Sequence, residues 1–199
     1  MRQHTWVWAY MAAMGVYHVV VLPSVLVLGP VLAEQDWPGA ANWSTAVAAF
    51  GLGSFAGNAC AYRLRPTQPL AVAAAALTIG TRQAAVIGSG APLVMIALLE
   101  AVTGAAVSLF FVLRETALQT HVPDHALSRV NSFDYLLATG LMPLGLALAG
   151  PVSTAGGVRA TLFAMTALSH PCALELLAVP AVRRLPAQAP PVGDAARAS

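Results

Sequence analysis

The sequence has no lysine, and its 10 basic residues are all arginine. Asp and Glu add only 8 more charges, so charged side chains occupy 9% of the 199 positions. A water-soluble domain of this length needs a polar shell, and this composition cannot furnish one. No basic patch interleaved with aromatics appears, which excludes a nucleic-acid surface. Cysteine occurs only at Cys60 and Cys172, within apolar runs far apart in the chain. That leaves no disulfide framework and no cysteine metal pair, and both residues are expected as small core residues. A phosphate-binding glycine loop followed by Lys-Ser/Thr is missing, so ATP-driven transport is not encoded. The scattered Ser, His and Asp form no nucleophile–base arrangement, so neither an enzyme nor a cofactor is expected.

What the chain does have is hydrocarbon. Hydrophobic residues make up 58% of it, and its mean hydropathy is +0.71. A spanning helix needs about 20 apolar residues, so this length accommodates roughly six or seven crossings and no sizeable soluble domain. The apolar runs are unbroken and rich in Ala, Leu and Val rather than alternating, which selects helices over a closed barrel. The fold expected is all-α: a polytopic membrane protein with a six-helix transmembrane bundle over residues 1–183 and a disordered cytoplasmic tail over 184–199. The spans fall at residues 6–32, 40–62, 70–87, 93–113, 133–152 and 160–182. The first run far exceeds the core of a signal peptide, about 7–15 residues. Pro23 and Pro30 predict a kink and an end for it, and Pro171 and Pro180 predict kinks in the last. Gly53 and Gly57 in the second span, and Ala101, Gly104, Ala105 and Ser108 in the fourth, form small-residue stripes that let helices approach closely.

The gaps between runs carry the topology. Arg2, Arg63, Arg65, Arg114, Arg129, Arg183 and Arg184 fall on one side of an even number of crossings. The other side holds the acidic Glu34/Asp36 loop, the uncharged turn near Gly90, and Arg159. Basic loops stay cytoplasmic, which places both termini inside a plasma membrane. Residues 114–131 read as the longest polar loop.

A few ionisable groups lie within the runs. Arg82 sits in the outer half of the third span and Glu100 midway along the fourth. Three readings fit them: a pair or shared polar pathway serving substrate or protons, an ion pair that only fixes packing, or an early end to the third span with Arg82 snorkelling outward. Glu175 is a further pathway candidate near the cytoplasmic end of the sixth span, with His170 on the other side of Pro171. His18 reads as a satisfied core histidine. Asp134 is expected to cap the fifth span or pair with an arginine of the preceding loop. His121 and His125 flank Pro123, which prevents one helix from presenting both rings on a face. With no further ligand nearby, no metal site is expected.

The segment from Arg114 to Ser132, Arg-Glu-Thr-Ala-Leu-Gln-Thr-His-Val-Pro-Asp-His-Ala-Leu-Ser-Arg-Val-Asn-Ser, resembles the cytoplasmic loop between the tenth and eleventh helices of major facilitator superfamily exporters. It is similar to the bacterial branch with siderophore and multidrug efflux proteins. Phe133-Asp134-Tyr135 and the run to Ala149-Gly150-Pro151 continue the likeness, and Leu28-Gly29-Pro30 and Gly51 to Arg65-Pro66 resemble the seventh and eighth helices. In this likeness Arg114, Glu115, Gln119, Pro123 and Arg129 carry the loop motif. The resemblance implies a proton-coupled exporter of small molecules, twelve helices in two halves, of which this chain is the carboxy-terminal half. Ala61 and Tyr62 stand where the family has Asp and Arg, so a charged gating network there is not implied. The implied partners are the bilayer, a small-molecule substrate that the sequence does not identify, and a complementary six-helix half. Without that half, a homo-oligomer would form with its seam at Gly53/Gly57 or at the fourth-span small residues. The alternative reading is a non-transporting membrane scaffold or transporter remnant.

Overall fold

The computed structural model describes residues 5–37, 40–64 and 66–187, and these are predominantly helical with no strand among them. In chain order the helices are α1 (Thr5–Val16), α2 (Leu22–Asp36), α3 (Ala40–Arg63), α4 (Pro69–Gly80), α5 (Gln83–Gly88), α6 (Leu93–His121), α7 (Asp124–Gly156), α8 (Val158–Ala178) and α9 (Pro180–Arg183). A five-residue π-helical segment, Tyr17–Val21, joins α1 to α2. Among the described residues five stretches are long and apolar enough to cross a membrane: Trp6–Asp36, Pro69–Gly88, Leu93–His121, His125–Gly156 and Val158–Ala178. The helix α3 has 24 residues, but Asn42, Ser44, Thr45, Ser54 and Asn58 dilute its hydropathy and it is not among them.

The first run continues beyond its expected end. Pro30 lies inside α2, and the helix extends through Glu34 to Asp36, so those residues belong to the helix end rather than to a loop. The local disturbance comes instead at Pro23. Proline has no N–H to donate and its ring crowds the carbonyl one turn back. The wider π-helical turn just before it absorbs that crowding. Across from it stands Gly145 of α7, where an added Cβ would collide with the Val19 carbonyl oxygen and the Pro23 ring.

The segment expected as the longest loop is helix. The α6 helix runs to His121, α7 begins at Asp124, and only Val122 and Pro123 lie between. Polar side chains do not stop a helix when they bond along it, as Gln119 Nε2 does to Glu115 Oε1 at 3.1 Å. The gap between the expected spans 133–152 and 160–182 shrinks in the same way to Gly157, whose φ of +85° ends α7 and starts α8. The chain leaves α8 at Val179, and the Ala187 N–H then donates to the Thr67 carbonyl at 3.2 Å. This ties the carboxy-terminal segment to the turn after α3. The disordered tail expected over 184–199 falls outside the described residues from position 188 onward.

The core lies among α1, α2, α4, α5, α6 and α8, where Leu28, Leu77, Ile87, Phe110 and Leu162 are fully enclosed. Tyr10 stacks on Phe110 with ring centroids 5.3 Å apart. By contrast α7 buries only a narrow stripe and presents Phe133, Tyr135, Leu136, Leu144 and Leu148 outward. In water such a face would aggregate; in a bilayer it meets acyl chains.

The two small-residue stripes meet each other. A Cβ added at Gly53 would strike the Ala101 backbone, one at Gly57 the Ala105 backbone, and one at Gly104 the Phe50 carbonyl. Ser54 Oγ donates across this seam to the Gly104 carbonyl at 3.3 Å. The homo-oligomer seam expected at these residues is thus already occupied within the chain. Cys60 is exposed and Cys172 is half-buried, so neither is the enclosed core residue expected.

Replacing Gly57 by leucine should force α3 and α6 apart. The cost expected for overpacking is about 1–3 kcal/mol, read as a lower unfolding midpoint in detergent, whereas Gly51→Leu, where no atom lies within 4 Å, should leave the midpoint unchanged.

Candidate functional site in the broken helix

The helix spanning residues 69–88 does not run straight. It stops at Gly80, turns at Thr81 and Arg82, and resumes at Gln83. The Thr81 N–H still reaches the Leu77 carbonyl at 2.9 Å, while the Arg82 N–H tightens onto Ile79 at 3.0 Å. Nearby hydroxyls answer part of the disturbed backbone: Thr78 Oγ1 donates to the Ala75 carbonyl at 2.7 Å and Thr81 Oγ1 to the Thr78 carbonyl at 3.1 Å. Gly80, at the break, lies so close to Val107 of α6 that a Cβ there would touch its side chain.

The break sends two adjacent polar side chains in different directions. Gln83 is buried and turns to α6, where its Nε2 donates to Glu100 Oε2 at 2.8 Å. Glu100 is itself 3% exposed. Its second oxygen, Oε1, and Gln83 Oε1 are both enclosed without a hydrogen-bond donor. Residues Gln83 and Glu100 help line a largely apolar cavity of about 110 Å³ whose walls include Val25, Trp43, Ala46 and Phe50. Arg82 turns to α8 and remains exposed, with Nη2 3.4 Å from His170 Nε2.

Arg82 and Glu100 therefore do not pair, although they occupy neighbouring helices. Gln83, not Arg82, faces Glu100, because one step along a helix turns a side chain by about 100°. Nor does Arg82 snorkel outward, since its guanidinium reaches along α8 to His170, well inside the end of that helix. Glu175 is exposed and lines a shallow groove between α1 and α8 with Ala9, Ala12 and Cys172. It lies apart from Glu100, so the three pathway candidates are not one cluster.

The opposite ends of the bundle hold its ion pairs. Arg159, at the start of α8, places Nη2 2.5 Å from Asp36 Oδ1 and donates through Nη1 to the Gly88 carbonyl at 3.0 Å. This binds the ends of α2 and α5 to the start of α8. Gly90, with φ of +71°, makes room for that guanidinium, where a side chain would collide.

At the other end Arg114 is buried at 5% exposure, with Nη2 2.7 Å from Asp134 Oδ2 and Nη1 4.0 Å from Glu115. Its guanidinium carbon lies 4.6 Å from the Tyr10 ring centroid. Asp134, a full ten residues inside α7, is thus an ion-pair partner and not a cap. The loop-motif residues Arg114 and Glu115 join this cluster. Gln119 is exposed and bonded to Glu115, Pro123 supplies the α6–α7 break, and Arg129 is exposed beside an apolar groove with Trp8 and Phe133.

His121 Nδ1 faces the Ala117 carbonyl at 3.1 Å, and His18 Nδ1 faces the Met14 carbonyl at 2.9 Å, so both rings are engaged locally. Among the described residues no three of His, Cys, Asp and Glu converge on a metal position. Two participants escaped sequence reasoning. Gln83 carried no charge to draw notice, and Tyr10 lay in an aromatic-rich run that resembled core. The only sequence signal for Gln83 was its place directly after Arg82 within an apolar stretch. No protein-family model, curated protein or solved structure matches the chain.

Asp134→Ala should leave the Arg114 guanidinium enclosed without its counter-ion, with a loss on the order of 3 kcal/mol in unfolding free energy. Arg114→Met in the same chain should recover most of that loss, and a double-mutant cycle in detergent measures the coupling.

Proposed function

We propose that this chain is the carboxy-terminal half of a proton-coupled exporter of small molecules, a multi-pass plasma-membrane protein of the major facilitator kind that works with a complementary six-helix half. In this reading all six long helical segments cross the bilayer, α3 included, and both termini lie in the cytoplasm. The observation that carries it is the Gln83–Glu100 pair: an enclosed carboxyl within a long apolar helix, with one oxygen held, the other without a hydrogen-bond partner, and a small cavity lined in part by the same two residues. Ionisable residues inside membranes are costly and serve ion and substrate pathways. A carboxyl held on one side can take up a proton at its other oxygen without losing its position. Discontinuous helices near the midplane are also the place where secondary transporters gather such groups, and α4–α5 is discontinuous next to Gln83.

The arrangement of the ends supports the proposed topology. Asp36, Gly88 and Arg159 meet at one end of the bundle, while Thr67 and Ala187 meet at the other. That is the alternation expected if the arginine-rich gaps share the cytoplasmic side. One half supplies one wall of a transport cavity, and the complementary half supplies the surface against which it rocks.

Glu100→Gln should abolish pH-gradient-driven ethidium flux in vesicles containing both halves, a drop of at least tenfold, while membrane levels stay within twofold of wild type. In the isolated chain the same change should remove one titrating protonated-carboxyl band from the infrared spectrum. Wild-type flux surviving in the variant, or a spectrum without that band in the parent, refutes Glu100 as the proton carrier.

A further inference from the structure

Arg82 is the cation of this bundle whose surroundings call for something outside it. Its backbone lies six residues before Gly88, about 9 Å along a helix from the end where Gly88, Asp36 and Arg159 converge. The side chain does not turn back toward that end. It runs to His170, eleven residues into the chain from Arg159 and so about 16 Å deep along α8. The guanidinium therefore sits near the middle of the apolar layer, and it is exposed.

The imidazole beside it supplies no negative charge. Thr81 Oγ1 lies 3.0 Å from His170 Nδ1, and His170 Nε2 lies 3.4 Å from Arg82 Nη2. Neither tautomer of a neutral imidazole brings a negative charge to the guanidinium. Among the described residues no carboxylate forms an ion pair with Arg82: Glu100 is held by Gln83, Asp36 by Arg159 and Asp134 by Arg114. Glu175 faces the α1 side of α8. The surface around the cation is apolar. Ile79, one turn before it on α4, is 40% exposed, and Leu174, one turn from His170 on α8, is 47% exposed.

An unanswered arginine at the centre of a helix in a membrane costs about 2.5–3.5 kcal/mol on insertion scales. Lipid head groups lie at the interface, away from where this side chain points, so they do not provide the counter-ion. We propose that Arg82 is a docking charge for a second membrane chain: a transmembrane helix carrying an aspartate or glutamate near the bilayer centre packs on the α4–α8 face and pairs its carboxylate with the Arg82 guanidinium. His170, itself bonded to Thr81, positions the guanidinium, and Ile79 and Leu174 supply exposed apolar surface on α4 and α8. This inference rests on the helices lying in a bilayer and not on transport, so an inactive exporter leaves it standing.

The test uses a leucine–alanine transmembrane peptide with one central glutamate, labelled with an acceptor dye, and the full chain labelled at Cys60 in a Cys172→Ser background. Energy transfer in phosphatidylcholine vesicles reads the association. The glutamate peptide should bind wild type at least tenfold more tightly than its glutamine counterpart, and Arg82→Gln should erase the preference. Moving the glutamate two turns toward the peptide's end should erase it as well, an arm that needs no variant of the protein. Equal binding of the glutamate and glutamine peptides, a preference that persists in a helical Arg82→Gln chain, or indifference to the glutamate's depth would each overturn the proposal.

Discussion

Hydrocarbon offers no hydrogen bonds, and this constraint governs the whole molecule. Every backbone donor and acceptor in an apolar layer must be answered within the chain, which makes helix the default wherever the sequence is apolar. Helix also extends past the apolar layer, where polar side chains bond along it. Residues 114–121 and 124–131 keep their backbone bonds in α6 and α7, and the chain breaks only where proline removes a donor at position 123. The same pressure accounts for the hydroxyls of Thr78 and Thr81 turned back on carbonyls around the broken helix.

Against that background the polar interactions divide by place. At the two ends, Arg159–Asp36 joins helices that are distant in sequence and Arg114–Asp134 joins the consecutive α6 and α7, and together they fix how the bundle closes. In the middle, the break after Gly80 separates two jobs that a straight helix would have joined. Gln83 reinforces an enclosed carboxyl on α6, while Arg82 is delivered to the surface beside His170. A single turn of irregular backbone thus produces both an inward polar site and an outward charge.

Helix packing follows a different rule, since apolar surface gains little by leaving lipid for another helix. Close contact then depends on removing side chains, as along Gly53, Gly57 and Gly104, where backbone meets backbone between α3 and α6. That seam holds the least apolar of the long helices to one of the most apolar. The α7 helix, with few such positions facing the core, remains largely on the outside.

The sequence by itself determined the class of fold, the approximate positions of most helices, the close-packing glycines and the charged groups that matter, because those follow from hydropathy and residue size at each position. Pairing of Asp134 with an arginine of the preceding segment was one of two roles the sequence offered, and the structure selects it over a cap, with Arg114 as the partner. Which polar groups actually meet was decided only in three dimensions. The partner of Glu100 depended on a turn at Thr81–Arg82 that rotates Gln83 inward, and the partner of Arg82 depended on α8, 88 residues away. The glycine stripes, likewise, declared that something would pack closely but not that each was the other's partner. Local propensity is a property of short segments, whereas these pairings depend on helix rotation and on contacts between distant parts of the chain.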